Sequence, residues 1–185
     1  MPFHSGLATA VMLLLMIAGA QKVADAAPTV GALRSAGLPS GQLLVRLLGI
    51  TEIGVAVAFL VAGGPWAAAL GALFYAGFAG FVLLALSRDI PISSCGCFGK
   101  TDTPPSVAHV ALNLGSVAVL VLAAIIPVQP MGGLVDASAG VVVPYVVAVG
   151  ATVYLLYGML TALPLVGKRA IQGATPLPVP GRRKG

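Results

Sequence analysis

The chain contains two cysteines, Cys95 and Cys97, which are separated by one glycine and lie in a polar stretch between two apolar segments. Because Gly96 has no Cβ atom, the backbone between the two cysteines can turn tightly. A disulfide places its Cα atoms roughly 5.5–6 Å apart, which is close to the limit for residues two apart on an extended chain. We therefore expect the pair to alternate between a dithiol and a somewhat strained, easily reduced disulfide. The alternative is that both thiols are small side chains packed at a helix end.

Metal chemistry is a second interpretation of the same pair. Two cysteines are too few for a closed zinc site, which needs four ligands, and we predict no such site. Two thiolates one residue apart can hold a soft Cu(I) ion, together with His109 or a methionine such as Met131. Few methionines lie near the pair, which favours the redox interpretation. Because His4 and His109 are the only histidines, neither a haem ligand pair nor a serine–histidine–acid arrangement is evident.

The composition indicates an integral membrane protein. Of the 185 residues, 58% are hydrophobic and 8% are charged, whereas a soluble domain has about 25% charged residues. The net charge of +5 does not indicate nucleic-acid binding, because the cations lie in the connections and the C-terminal tail, as membrane topology requires.

The apolar runs predict an all-α, polytopic transmembrane bundle of about five helices. We expect one transmembrane domain over residues 1–166, followed by a basic, disordered cytoplasmic tail over 167–185. The first run resembles a signal peptide, but it has no lysine or arginine before it, so we interpret it as an uncleaved helix. The five predicted spans are 5–23, 43–62, 67–86, 107–126 and 141–163.

Three polar residues within the predicted spans are candidate supporting residues. Glu52 lies near the middle of the second span, where a carboxylate costs on the order of 2.5–3.5 kcal/mol unless it faces the bundle or a wet cavity. Its carboxylate would exchange a proton or contact a substrate, or it would form a buried hydrogen bond or an ion pair with Arg46 or Lys22. His109 and Asn113 share one face of the fourth span. His109 would assist deprotonation of a thiol, or it would be an interfacial histidine that forms a hydrogen bond with a lipid headgroup or with the loop.

The ten cations predict the orientation of the chain. They fall in the connection after the first span, in the stretch that holds the cysteines and in the C-terminal tail. With five spans these regions share one face, which the positive-inside rule makes cytoplasmic. We therefore expect the N-terminus outside, the C-terminus inside and the cysteine pair near the cytoplasmic surface.

The string Cys95-Gly96-Cys97-Phe98-Gly99 after a third apolar span, with Asn113 early in the next, resembles the MauE group of DoxX-like membrane proteins. Further likeness lies in Ala18-Gly19 with Lys22 and in Glu52-Ile53-Gly54. One departure is Leu112, where the family pattern has an arginine, so a cation at that spot is in doubt. The resemblance implies a four-helix DoxX-like core plus one C-terminal span, in the bacterial inner membrane. It does not establish methylamine metabolism.

By that resemblance, the expected function is thiol–disulfide exchange with a thioredoxin-like partner, in support of the maturation of exported proteins that contain disulfides. Cofactors are not evident; a quinone would serve electron transfer, but no sequence feature indicates one. Such partners work outside, whereas the charges place the cysteines inside. Either the protein carries reducing equivalents across the bilayer, or the loop is reached from the other face, or the span count is off by one. A non-catalytic assembly scaffold is the remaining alternative. The physiological substrate, the direction of electron flow and the oligomeric state are left open by the sequence.

Overall fold

The structure, a computed structural model, describes residues 3–88, 90, 105–126, 128 and 138–173. These residues form six α-helices and no β-strand. Five of the helices are long and apolar enough to cross a membrane, which confirms the predicted class of transmembrane helix bundle. The helices are α1 (Phe3–Ala24), α2 (Ala27–Ser35), α3 (Gln42–Ala62), α4 (Pro65–Ser87), α5 (Val107–Ile125) and α6 (Ala139–Gly173).

The limits of the helices follow from glycine and proline. Helix α3 ends where Gly63 and Gly64 adopt positive φ angles of 65° and 95°, a conformation that costs little only for glycine. Pro65 then opens α4, since the first turn of a helix does not need the N–H that proline lacks. The two glycines are therefore sufficient to reverse the chain between α3 and α4.

Helix α1 lies at the centre of the bundle. In its most apolar window 56% of the residues are buried, against 6% for α6. The main core joins α1 to α3, α4 and α5 through Met12, Leu15, Phe59 and Leu120, among others. Buried polar contacts also hold α1: the Tyr75 hydroxyl donates to the Val11 carbonyl oxygen at 2.7 Å. The first helix is thus an integral part of the fold.

Helices α1 and α3 are antiparallel and cross closely at two glycines. A Cβ atom built at Gly49 would lie 2.6 Å from the carbonyl oxygen of Gly19, and one built at Gly19 would lie equally close to that of Gly49. Such small residues let two helix backbones approach each other in a membrane. The crossing brings the side chains of the next turns, Lys22 and Glu52, within reach of each other.

Substituting alanine for Gly49 is therefore expected to destabilise the protein by about 1–3 kcal/mol, because the added methyl group overpacks a backbone contact. The measurement is the free energy of unfolding in detergent micelles. Gly54→Ala is the matched control on the same helix, since a Cβ atom there meets nothing within 4 Å. Equal stabilities of the two variants would contradict the close crossing.

None of the five predicted spans covers α2, which lies between the first two of them. Pro28 stands in the first turn of α2, where proline starts a helix instead of breaking it. Helix α2 packs Val30 and Leu33 against Val45 of α3. At the other end, α6 continues to Gly173, so residues 167–173 of the predicted tail are helical, and 174–185 lie outside the described residues.

Candidate functional site

The cysteine pair itself, Cys95-Gly96-Cys97, lies outside the described residues. The described chain on either side shows where the stretch is anchored. Before it, Ile90 packs against the cluster of Ala32 in α2 and Ala85 near the end of α4. After it, the chain enters α5, which packs Val110 against Val82 of α4. The stretch therefore leaves and rejoins the bundle at one end of the α4–α5 pair.

A buried ion pair lies in the α1–α3 interface. The Lys22 ammonium contacts Oε2 of Glu52 at 2.9 Å, and the two side chains are 3% and 0% exposed. Glu52 is the middle residue of α3, and Lys22 lies in the last turn of α1. Of the two structural partners considered for Glu52, the structure selects Lys22, whereas Arg46 is exposed.

Lys22 makes further contacts, whereas the second carboxylate oxygen of Glu52 makes none among the described residues. The Lys22 ammonium also donates to the carbonyl oxygen of Ala18 at 3.5 Å and lies 4.9 Å from the ring centre of Phe78. The other carboxylate oxygen of Glu52, Oε1, is buried and has no hydrogen-bond partner among the described residues. The pair is thus electrically neutral as a unit, but it does not satisfy every polar atom that it buries.

The predicted polar face of α5 is present and turned inward. His109 and Asn113 are 3% and 8% exposed, and Ser116 continues the same face at 4%. Nδ1 of His109 is 2.8 Å from Oγ of Ser106, which is the N-cap residue of α5. The contact with Ser106, the residue just before α5, agrees with a histidine bonded to the preceding loop, whereas an exposed fraction of 3% does not agree with a contact to lipid headgroups.

The structure separates the candidates into two groups. Glu52 is joined to Lys22, whereas His109 belongs with Ser106 at the start of α5. Among the described residues no hydrogen bond or ion pair joins His109 or Asn113 to the Lys22–Glu52 pair. The described residues also contain no group of three or more histidine, cysteine and acidic side chains that could hold a metal ion.

A comparison with protein families identifies the chain. The family model described as methylamine utilisation protein MauE matches residues 2–128. The chain belongs to the MauE family. No curated protein and no solved structure matches it.

The MauE match covers helices α1 to α5 together with the cysteine stretch, and it ends before α6 begins at Ala139. Helix α6 is also the most exposed of the five membrane-length helices. It touches α1 through the hydroxyl groups of Tyr145 and Thr9, which are 2.9 Å apart. The MauE part of the chain is therefore the five-helix unit of α1 to α5, and α6 is a span added at its edge.

Lys22 was not predicted as a site residue, although its ammonium contacts Glu52 of α3 and Phe78 of α4. The signal was present in the sequence: a lysine and a glutamate each interrupt an otherwise apolar helix, and charges at membrane depth pair with one another. The spacing along the chain could not show that these two meet, because their contact depends on how α1 and α3 cross.

Proposed function

We propose that this MauE-family protein is a membrane thiol–disulfide exchanger in which Cys95 and Cys97 pass electrons to and from a thioredoxin-like partner. The observation that carries the proposal is the Cys-Gly-Cys sequence itself. Its cysteines are the only two of the chain, they lie between two membrane-length helices, and they fall within the stretch that matches the family. The family's description supports work in methylamine utilisation, and we propose that this work is the maturation of exported proteins that contain disulfides.

The exchange needs no group other than the two thiols and the partner disulfide. One thiolate attacks a sulfur of that disulfide, forms a mixed disulfide and releases one partner thiolate. The second cysteine then attacks the mixed disulfide, which forms the Cys95–Cys97 disulfide and releases the partner as a dithiol. Both steps are reversible, so the same pair can oxidise a partner dithiol.

The start of α5 supports this chemistry. The cysteine stretch leads into α5, whose first turn carries free backbone N–H groups and the positive end of the helix dipole, and both favour a thiolate. His109 lies in that turn with Nδ1 held by Ser106, so Nε2 is the nitrogen that would exchange a proton with a thiol. Asn113, on the same buried face of α5, and Glu52, in its ion pair with Lys22, are proposed as supporting residues that need not touch sulfur.

The cation distribution supports an orientation with the N-terminus outside and the cysteines near the cytoplasmic face. The ion pair removes Lys22 from the count, because Glu52 neutralises it. Arg34, Arg46 and Arg88 remain at one end of the bundle, where α2 packs against the start of α3 and the end of α4. Accessibility of the cysteines to a membrane-impermeant thiol reagent in intact cells tests this orientation.

The experiment that tests the exchange is capture of the mixed disulfide. With one cysteine replaced by serine the resolving step cannot occur, so Cys95→Ser or Cys97→Ser is expected to accumulate a covalent complex with its partner. The complex is detected as a band on a non-reducing gel that disappears on reduction, and mass spectrometry identifies the partner. Cys95→Ser/Cys97→Ser is the control and forms no such band. If neither single variant yields a reducible complex, and the purified wild type instead contains bound copper, the exchange mechanism is wrong.

A further inference from the structure

A cavity of about 360 Å³ lies beside the buried ion pair, which is within the range of small-molecule sites, roughly 300–1,000 Å³. Helix α4 forms one side, and α2 and α3 form the other through Leu33 and Leu48. Lys22 and Thr29 are the polar residues among those that line it. The wall that α4 supplies consists of Leu70, Leu73, Phe74, Gly77, Phe78 and Phe81.

The cavity opens toward the lipid. Leu70 and Leu73, which line it, are 48% and 69% exposed, although they lie within a membrane-length helix. A molecule dissolved in the bilayer can therefore enter sideways, between helices, without crossing a polar surface. The apolar wall favours a ligand with a long apolar part, since burying apolar surface supplies most of the binding free energy.

The inner end of the cavity selects the chemistry of the head group. A lysine ammonium has three N–H donors, and the structure gives Lys22 two acceptors, Glu52 and Ala18. The third donor is available to a ligand acceptor. Because Glu52 already neutralises Lys22, an anionic head group would bring an uncompensated charge into an apolar cavity, at considerable cost. A neutral acceptor oxygen brings no such charge.

Three aromatic rings face the same space. Phe74, Phe78 and Phe81 all line the cavity, and Phe78 also lies against the Lys22 ammonium. Flat aromatic walls stack favourably on a flat conjugated ring. A phospholipid provides no flat ring, and its head group carries a phosphate charge even where it is zwitterionic. The wall therefore fits a ring that carries carbonyl oxygens and an apolar tail.

We propose that this cavity binds a membrane quinone. The quinone ring lies among the three phenylalanines, one carbonyl oxygen accepts a hydrogen bond from Lys22, and the isoprenoid tail leaves past Leu70 and Leu73 into the bilayer. The consequence for electron flow rests on the proposed thiol function. Oxidation of the Cys95 and Cys97 thiols forms the S–S bond and releases two electrons and two protons, and the quinone takes up both to become a hydroquinone. The protein then acts as an oxidant of its partner.

Two glycines of α4 provide a matched test. Gly77 lines the cavity and Gly80 does not, while a Cβ atom at either position meets nothing within 4 Å. Gly77→Leu therefore fills the cavity without a clash, and Gly80→Leu adds the same side chain to the same helix outside it. The probe is decylubiquinone, titrated against the full-length protein in phospholipid nanodiscs. The readout is quenching of Trp66, the single tryptophan, after subtraction of the signal from empty nanodiscs.

The expected result is saturable binding to the wild type and to Gly80→Leu, and binding about tenfold weaker to Gly77→Leu, which corresponds to about 1.4 kcal/mol. Non-saturable quenching in the wild type, or equal affinity in the two leucine variants, overturns the quinone site and leaves the cavity to lipid chains. Cys95→Ser/Cys97→Ser is expected to bind the probe as the wild type does. Saturable binding without any mixed disulfide to a partner therefore rejects the thiol function alone, and partner exchange without binding rejects the quinone site alone.

Discussion

Replacing Lys22 by methionine is expected to destabilise the protein by about 3–5 kcal/mol, because it leaves the buried carboxylate of Glu52 without its cation. The carboxylate is 0% exposed and its Oε1 atom already lacks a hydrogen-bond partner among the described residues. The substitution removes the 2.9 Å contact between the Lys22 ammonium and Oε2 of Glu52, and methionine offers no donor in its place. The measurement is the free energy of unfolding in detergent micelles.

The double variant Lys22→Met/Glu52→Met decides whether this cost comes from the unpaired charge. Replacing a whole buried ion pair by apolar side chains is often neutral, so the double variant is expected to regain most of the lost stability. Arg46→Met is the control for loss of a cation from an exposed position and is expected to change stability by no more than about 0.5 kcal/mol. A double variant as unstable as Lys22→Met would show that the pair does not act as a unit.

Ligand binding by the stable double variant then shows whether the ion pair has a structural role alone or also binds a ligand. If the pair only holds α1 against α3, the double variant binds decylubiquinone as tightly as the wild type does. If Lys22 donates to a quinone carbonyl, the double variant folds but binds decylubiquinone more weakly, because the methionine has no N–H to donate. The second outcome is the one that the cavity beside the pair predicts.

Replacing both cysteines by serine is expected to abolish the biological activity while leaving the fold and partner binding intact. The loss should be complete, since a serine hydroxyl does not exchange with disulfides and the chain has no other thiol. The readout is growth on methylamine of a strain that depends on this protein, together with co-purification of the partner. A conservative Gly54→Ala variant, placed in open space, serves as the active control.

The outcome of the double serine variant also separates an exchanger from a scaffold. An assembly scaffold whose cysteines only staple a loop would retain both partner binding and growth. An exchanger keeps its partner and loses growth. Loss of both, with the thermal stability of the wild type, would indicate that the cysteines form the binding surface and do no electron transfer.

The sequence predicted the spanning helices well, for a simple physical reason. Each span is a long apolar run bounded by glycine, proline or charge, as at Gly63-Gly64-Pro65, and these signals are local. Helix α2 was not predicted, because its nine residues are too few to span a membrane and its Pro28 is compatible with either a helix start or a helix break. The identity of a turn residue alone does not distinguish a helix that ends from one that begins.

The site was only partly predictable, because its parts meet across helices. A partner for Glu52 was expected from the cost of a lone carboxylate, but the choice of Lys22 over Arg46 depends on the close crossing at Gly19 and Gly49. The cavity could not be inferred at all, since its wall combines α2 with side chains of three other helices. The sequence indicates which residues are apolar, but only the packing of the helices shows where a cavity remains between them.

The central claim is that Cys95 and Cys97 cycle between dithiol and disulfide at the cytoplasmic face, and maleimide labelling tests it most directly. Cells are treated with a membrane-impermeant maleimide before or after permeabilisation, each with and without prior reduction, and Cys95→Ser/Cys97→Ser gives the background. We expect no labelling in intact cells, and labelling after permeabilisation that increases when the protein is first reduced. Labelling that is the same with and without reduction would contradict the redox pair, and labelling in intact cells would contradict the orientation.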